Sequence, residues 1–200
     1  MCTCRMGWTA FCFSPPRAVA GCRFTSVLVF EGGDMSARVG KLAWLWLSVL
    51  VIVLDQASKH YVEANLKLYQ AVEVVPGYFA WMLAYNTGAA FSFLADHSGW
   101  QRWLFAAIAI GVSIVLLVWM KRLKPGETWI AIALALVLGG ALGNLYDRVV
   151  LGHVVDFILV HWQNQWRFPA FNIADSAITV GAVMLALDMF RSKTGETVND

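Results

Sequence analysis

The sequence predicts an all-α polytopic membrane protein with four transmembrane helices. Of its 200 residues, 59% are hydrophobic and only 14% are charged, whereas an ordinary soluble domain is about 45–50% apolar and about 25% charged. Four apolar segments reach the length of about 17–25 residues that a spanning helix needs, three of them only when their polar ends are included. Backbone groups in lipid have to be hydrogen-bonded within their own segment, so each of the four should be helical.

Positive charge in the short loops predicts the orientation of these helices. The helices are predicted at about residues 42–62, 103–120, 129–146 and 173–190. The loops that precede the first, join the second to the third and follow the fourth contain Arg38, Lys41, Lys121, Arg122, Lys124, Arg191 and Lys193. Because positive loops stay on the cytoplasmic side, both termini are predicted to be cytoplasmic. Loops 63–102 and 148–171 then face outward.

The first outer loop is predicted to form short strands. VEVV at 72–75 is followed by the turn pair Pro76-Gly77, and YFAWMLAY at 78–85 is followed by the turn NTG. AAFSFL at 89–94 continues the same pattern of strand and turn. A loop of this length usually has a function or a structure of its own. Its aromatic side chains indicate a position against the membrane surface.

The first 34 residues differ from the rest of the chain. They show no sustained periodicity, and they hold all four cysteines: Cys2, Cys4, Cys12 and Cys22. From Met35 the chain reads MSARVGKLAWLWL, a short basic lead followed by a helix. We therefore expect translation to start at Met35, with residues 1–34 as a non-native extension and residues 35–200 as the membrane domain.

Charge and ligand patterns exclude several functions. The net charge of +2, without a long basic stretch, gives no indication of a nucleic-acid partner. After Cys22 the sequence has no cysteine for a disulfide or a thiolate site, and its four histidines lack the H-E-x-x-H spacing, so zinc chemistry is not expected. The glycine run GGALG at 139–143 follows no predicted strand, so it indicates close helix packing rather than phosphate binding.

Polar residues gather at one side of the predicted membrane. Because the helices alternate in direction, the first and third end outside and the fourth begins outside. Their outer ends carry Asp55, Lys59, Asn144, Arg148, Asn172 and Asp175, and the two outer loops carry Asn86 and Asp156. Topology alone therefore brings these groups to the outer face. Ionisable residues near membrane depth are costly and are candidates for function.

Several of these residues also have a purely structural interpretation. Asp55 and Lys59 are four residues apart and share a helix face, which also suits a simple boundary ion pair. Asn172 followed by Asp175 fits a helix N-cap with an acid in the first turn, and Asp147, beside Arg148, is interpreted as interface charge. The remaining acid lies in the apolar stretch VVDFIL at 154–159, where it needs a polar partner.

Two carboxylates at one face suggest aspartyl chemistry. Close carboxylates do not both ionise readily, so one retains a proton while the other acts as a base. Such a pair can deprotonate water and protonate a leaving amine. The sequence has no cysteine nucleophile beyond its first 34 residues, and Ser58 and Ser176 have no histidine at an informative spacing.

Five motifs in order carry a family resemblance. They are DQASK at 55–59, NTGAAF at 86–91, GGALGNLYDR at 139–148, VVDF at 154–157 and FNIADSAI at 171–178. On these motifs the chain from about residue 35 to 192 resembles the bacterial lipoprotein signal peptidases, and those of pseudomonads in particular. These membrane aspartyl proteases are also called type II or prolipoprotein signal peptidases. One such motif alone is a weak signal, whereas five in order on four helices are highly specific.

The resemblance implies an enzyme that cuts the signal peptide from prolipoproteins, just before a diacylglyceryl-modified cysteine. It implies Asp156 and Asp175 as the catalytic dyad. Supporting or substrate-binding roles are implied for Asp55, Lys59, Asn86, Gly88, Asn144, Arg148 and Asn172. Because a helix N-terminus favours a negative charge, we expect Asp175 to be the initial base and Asp156 to hold the proton.

The resemblance also implies a setting and ligands. The family fold has four transmembrane helices and a small β-cradle in the first periplasmic loop. It lies in the bacterial inner membrane, with the active site at the periplasmic face. Contact with membrane lipid, binding of the cyclic peptide antibiotic globomycin, and no metal or organic cofactor are further expectations.

The alternative function is a small proton- or ion-coupled membrane transporter. Transporters also place carboxylates among helices. They usually carry these acids near mid-membrane, on broken helices in repeated halves. Here the acids gather at one end and the sequence has no visible repeat. A non-enzymatic membrane adaptor is a third class, but it has no need for two outward aspartates framed by Asn and Arg.

Overall fold

The computed structural model describes residues 42–88, 99–163 and 165–196. In this part of the chain the helices are α1 (Leu45–Asn65), α2 (Trp100–Arg122), α3 (Thr128–Val150) and α4 (Ile173–Glu196). The strands are β1 (Ala71–Val75), β2 (Phe79–Asn86), β3 (Val154–Trp162) and β4 (Trp166–Arg167). The predicted extension at 1–34 and the predicted strand at 89–94 lie outside the described residues.

Three of the described helices are long and apolar enough to cross a membrane. They are α2, α3 and the segment Ile173–Phe190 of α4. α1 has 21 residues, but it is not among them, because Asp55, Gln56 and Lys59 interrupt its apolar run. The chain is therefore a multi-pass membrane protein with three candidate spanning helices in the part that the structure describes.

The described strands form one antiparallel sheet in the order β1-β2-β3-β4. β1 and β2 come from the first predicted outer loop, as expected, but β3 and β4 come from the second. The sheet therefore lies only partly in the first loop, where the prediction placed it, and strands of the second loop complete it. Most of β3 is buried without alternation, and a strand that is covered on both faces has a continuous apolar run instead of the period of two that identifies a strand.

The pairing of β2 with β3 brings two candidate residues together. Ala84 pairs with Asp156, and Asn86 pairs with Val154. Alternate residues of a strand share a face, so Asn86 and Asp156 are diagonal neighbours on the same face of the sheet. A register shift between Trp81 and Ala84 precedes this pairing.

Close packing of α3 places the helix ends that carry the candidate residues. α3 packs against each of the other three helices. A Cβ atom at Gly140 would collide with the Ala174 carbonyl oxygen, and one at Gly143 would lie 2.9 Å from an Asp55 carboxylate oxygen. The prediction that the glycine run serves helix packing is confirmed. Only residues without a side chain let α1 and the start of α4 approach α3 this closely.

Candidate active site

The N-terminus of α4 is closed by a reciprocal pair of hydrogen bonds. The backbone N–H of Asp175 donates to Asn172 Oδ1 at 2.9 Å, and the N–H of Asn172 donates to Asp175 Oδ2 at 3.4 Å. This is the geometry of a capping box, which confirms the N-cap interpretation of these two residues. The cap leaves Asp175 Oδ1 directed elsewhere, and it accepts a 2.7 Å hydrogen bond from Asn144 Nδ2.

The Asp156 carboxylate, in the apolar stretch of β3, has two amide partners. Asn172 Nδ2 donates to Asp156 Oδ1 at 2.8 Å, and Asn86 Nδ2 donates to Oδ2 at 3.1 Å. Asn86 is in turn held by the backbone N–H of Gly88, which donates to its Oδ1 at 3.1 Å. Asp156 is only 3% exposed, so these donors replace the water that a buried carboxylate loses.

Two asparagine amides connect the two carboxylates. Asn172 Nδ2 also donates to Asn144 Oδ1 at 3.2 Å. Asp156 therefore accepts a hydrogen bond from the Asn172 amide, and Asp175 accepts one from the Asn144 amide. The two amides are hydrogen-bonded to each other. The ends of α3 and α4 and the strand β3 thus fix Asp156 and Asp175 as one polar cluster.

The pKa of the Asp156 carboxyl is raised to about 7. Burial is the main cause, because it disfavours the charged form, and the negative charge of Asp175 adds to it. The amide donors Asn86 and Asn172 and the charge of Lys59 act in the opposite direction. A carboxyl group that keeps its proton near neutral pH beside a second carboxyl is suited to acid–base chemistry.

An open cleft of about 740 Å³ leads to the two carboxylates. Its polar end is lined by Asn86, Asn144, Arg148, Asp156 and Asp175. Its apolar part is lined by residues that include Met82, Phe168, Phe171, Ile178 and Val180. A largely apolar cleft with a few convergent polar groups is the usual form of a small-molecule or peptide site.

Arg148 contributes the positive charge at the polar end of the cleft. Its Nη1 donates to the backbone carbonyl of Asn144 at 3.2 Å, so the two residues share one face of α3 as their spacing predicts. The guanidinium lies 5.4 Å from the centroid of the Phe105 ring. Its charge interacts with those of Asp175 and Asp156.

Behind the cleft, Lys59 forms ion pairs with two carboxylates. Its Nζ lies 2.6 Å from Asp55 Oδ2 and 2.7 Å from Asp147 Oδ2. It donates a third bond to Asn144 Oδ1 at 3.2 Å. Lys59 is 1% exposed, and Asp55 and Asp147 are fully buried. The predicted pair of Asp55 and Lys59 exists, and both of its side chains are buried in the protein interior.

Asp55 also joins this ion pair to the start of α4. Its Oδ1 accepts the backbone N–H of Ala174 at 2.9 Å. A carboxylate at a helix N-terminus satisfies an unpaired donor and interacts favourably with the helix dipole. Asp55 therefore helps to fix the helix end that carries Asp175.

Asp147 and Gln56 are the residues that sequence reasoning missed. Asp147 is not interface charge, because it is buried and bound to Lys59, and Gln56 Nε2 donates to it at 2.8 Å. One signal for Asp147 was available. It follows Asn144 by three residues, and residues three apart share a helix face.

The structure brings the candidate residues together in two layers. The cleft is lined by Asn86, Asn144, Arg148, Asp156 and Asp175, and the residues behind it are Asp55, Lys59, Gly88 and Asn172. Among the described residues, no group of three His, Cys, Asp or Glu side chains is placed to hold a metal ion. Apolar helices around a cleft that ends in two carboxylates define a polytopic membrane protein with a candidate acid–base site.

Known proteins identify the family. Residues 47–191 match the signal peptidase (SPase) II family. The lipoprotein signal peptidase of Pseudomonas syringae pv. tomato is 76% identical over 166 residues, which cover 82% of this chain and 96% of that protein. That of Pseudomonas aeruginosa is 76% identical over 163 residues, covering 81% and 96%. The chain therefore belongs to the signal peptidase II family.

A solved structure of a membrane enzyme has a similar fold. It is a bacterial membrane enzyme that is 30% identical to this chain, with a TM-score of 0.71, and the likeness covers 79% of this chain and 93% of the other. The family resemblance expected from the five motifs is confirmed, and the chain is a peptidase that acts on signal peptides. The transporter alternative has no support among these relatives.

Proposed function

We propose that the chain is an aspartic endopeptidase of prolipoproteins, cutting on the N-terminal side of a diacylglyceryl-modified cysteine. The relatives at about three-quarters identity are named lipoprotein signal peptidases. The observation that carries the aspartic mechanism is the amide-bridged pair Asp156 and Asp175 at the polar end of the cleft. No side chain of another nucleophilic type is paired with a base in this cluster as far as the described residues show.

In the proposed reaction a water molecule lies between the two carboxyl groups. Asp175 accepts a proton from the water as its oxygen attacks the scissile carbonyl carbon, and Asp156 gives its proton to the carbonyl oxygen. The tetrahedral intermediate then collapses. The C–N bond breaks, the amine leaves with the proton held by Asp175, and Asp156 recovers a proton from the intermediate. The raised pKa of Asp156 supports its role as the initial proton holder, although the pair titrates as a unit.

The other polar residues have supporting roles in this scheme. Asn144 and Asn172 hold the two carboxylates, and Asn86, held by Gly88, donates to the dyad member on β3. Arg148, which is positively charged and lines the cleft, orients the substrate backbone. Lys59 and Asp55 fix Asn144 and the start of α4 from behind.

The apolar part of the cleft suits the lipid attached to the substrate. Ile178 and Val180 of α4 line it, so the acyl chains of the diacylglyceryl group stay in the bilayer while the peptide reaches the dyad. In this arrangement α1 is a fourth transmembrane helix, whose charges are neutralised by the buried ion pairs. The enzyme lies in the bacterial inner membrane with both termini cytoplasmic, and the sheet and the dyad are at the periplasmic face.

Cleavage of a diacylglyceryl-modified prolipoprotein by the purified protein tests this proposal. We expect the modified substrate to be cut before the lipidated cysteine, the unmodified precursor to be left intact, and globomycin to block the reaction by occupying the cleft. Mass spectrometry of both products identifies the bond. Cleavage of the unmodified precursor at the same rate would contradict the proposed specificity, and a lack of any cleavage would contradict the function.

The same assay tests the proposal that residues 35–200 form the enzyme. The match to the signal peptidase II family begins at residue 47, and the relatives are covered over 96% of their length by 82% of this chain. We expect a chain that begins at Met35 to cleave with the kcat/KM of the 200-residue chain. A loss of activity in the shorter chain at equal folded fraction would show that residues 1–34 contribute.

The raised pKa of the Asp156 carboxyl leads to two predictions about rising pH. The activity of the parent enzyme should fall, and the stability of Asp156→Asn relative to the parent should increase. The pKa of this carboxyl is about 7 in the folded protein and 3.8 for an ordinary aspartate. The folded protein therefore gives up this proton less readily than the unfolded chain does. The folded state binds more protons between these values, so this group lowers stability as pH rises through that window. Asp156→Asn removes the penalty, and we expect it to be more stable than the parent by on the order of 2–4 kcal/mol at pH 8.

Thermal unfolding in detergent at pH 4 and pH 8 measures this difference. Most of the gain should be lost at pH 4, where the carboxyl group is protonated in the folded state and close to half protonated in the unfolded chain. In parallel, cleavage by the parent enzyme should fall as pH rises through about 7, because the dyad then loses its proton donor. If the stability difference between Asp156→Asn and the parent is no larger at pH 8 than at pH 4, the raised pKa of Asp156 is contradicted.

A further inference from the structure

Asp147 lies directly behind the dyad without reaching the cleft. It is on α3, it is fully buried, and it is not among the residues that line the cleft. Its carboxylate has three partners: Lys59 Nζ at 2.7 Å, Gln56 Nε2 at 2.8 Å and the backbone N–H of Val155 at 3.3 Å. A buried carboxylate with this many donors is fixed in one orientation. Two of its partners, Val155 and Lys59, connect it to the site.

The first connection runs through the backbone of β3. Val155 immediately precedes Asp156, and its N–H donates to Asp147 Oδ2. The carbonyl of Val155 accepts a hydrogen bond from Asn172 Nδ2 at 3.2 Å. Both polar backbone groups of Val155 are thus held by side chains of the cluster. The position of the Asp156 carboxyl is therefore set in part by Asp147.

The second connection runs through Lys59 and Asn144. An ammonium group has three donors, and those of Lys59 go to Asp55, Asp147 and Asn144 Oδ1. With its Oδ1 bound to Lys59, the Asn144 amide has its Nδ2 free to donate to Asp175 Oδ1. The orientation of that amide depends on where the ammonium lies. Asp147 is one of the two carboxylates that hold it there.

We infer that Asp147 is a positioning residue for the cleavage reaction. Through the Val155 backbone it places Asp156, and through Lys59 and Asn144 it orients the donor on Asp175. The inference rests on the proposed aspartic mechanism. Neither the reacting groups nor the substrate contacts this carboxylate, so its effect has to pass through its neighbours.

Asp147→Asn tests the inference because it keeps the shape and an acceptor for Val155 but removes the charge. Misplacement of the Asn144 amide and of the Asp156 carboxyl should lower kcat by on the order of 10–100-fold. KM should stay within about twofold, since the residues that line the cleft are unchanged. The charged groups that face Asp156 are Lys59 on α1, Arg148 on α3 and Asp175 on α4. In Asp147→Asn the positive charge of Lys59 is offset by one carboxylate fewer, so it lowers the pKa of Asp156 further. The fall of kcat at high pH should therefore begin at a lower pH.

Two further variants complete the experiment. Asp188→Asn makes the same chemical change on α4, at a half-buried position far along the helix from Asp175, and should keep the parental kcat and pH profile. Asp147→Glu keeps the charge but moves the carboxylate, so kcat should fall while the pH limb stays. If Asp147→Asn fails to fold, the kcat of Asp147→Glu tests the inference, because a lowered kcat supports it and a parental kcat contradicts it.

All rates are taken per folded enzyme, with the folded fraction measured by thermal unfolding. A parental kcat in Asp147→Asn, or a loss with an unmoved pH limb, would overturn the inference. A parental kcat in Asp147→Glu would do the same. Failure of the proposed function is recognised separately, because the parent would then not cleave the lipid-modified prolipoprotein or Asp156→Asn would remain active.

Discussion

Asp156→Asn and Asp175→Asn are each expected to abolish cleavage, with a loss of kcat on the order of 10³-fold or more. An amide can neither accept the proton of the attacking water nor supply one to the substrate. In the proposed reaction each carboxyl performs both transfers in turn, so losing either one stops the cycle. The measurement is turnover of a diacylglyceryl-modified prolipoprotein under single-turnover conditions, which separates the chemical step from product release.

The protein should stay folded in both variants. Asparagine has the shape of aspartate and keeps one acceptor oxygen, so Asn172 or Asn144 can still donate to it. At position 175 the lost interaction with the helix dipole costs about 0.3–1 kcal/mol. Asp188→Asn again serves as the matched control, with full activity expected. A folded dyad variant that retains a substantial part of the parental kcat would refute the aspartic mechanism.

Lys59→Met is expected to cause the largest loss of stability, about 3–5 kcal/mol. Methionine fills a similar volume but leaves the fully buried carboxylates of Asp55 and Asp147 without their cation. Removing one partner from a buried ion pair is far more costly than replacing the whole pair, because the remaining charge stays desolvated. Here one ammonium serves two carboxylates, which makes the lysine the sensitive member.

Thermal or denaturant unfolding in detergent measures this loss. Lys67→Met is the matched control, since Lys67 follows α1 and its side chain is exposed, and a surface substitution usually changes stability by within about 0.5 kcal/mol. Activity should fall as well, because Asn144 Oδ1 loses its donor. Equal stability of the two lysine variants would show that the buried cluster does not contribute as its geometry indicates.

Much of the candidate site follows from local spacing in the sequence. The fourfold spacing of Asp55 and Lys59 and the cap formed by Asn172 and Asp175 are fixed by helix geometry, and the structure contains both. The apolar segments likewise determine the helices of the bundle and their approximate bounds, because lipid leaves the backbone no other way to satisfy its hydrogen bonds. The glycine run at 139–143 predicted close packing of α3 for an equally local reason.

Other features depend on contacts between distant parts of the chain. Asn86 and Asp156 are 70 residues apart and meet only because β2 pairs with β3. The apolar run of β3 has no strand period, so the sequence did not indicate that the second loop joins the sheet. The role of Asp147 was hidden for a similar reason, since its partners Lys59 and Val155 lie on two other elements.

The sequence by itself determined the membrane class, the helices and the family, and it singled out the two acids of the proposed dyad. Only the tertiary structure decided which amides donate to those acids and that strands from two loops form one sheet. It also decided that Lys59 forms ion pairs with two carboxylates and not with one. The physical reason is range. Periodicity and capping act within a few residues, whereas the partner of a buried charge is chosen by which elements pack together, and here that choice depends on the close approach of α1, α4 and β3 to α3.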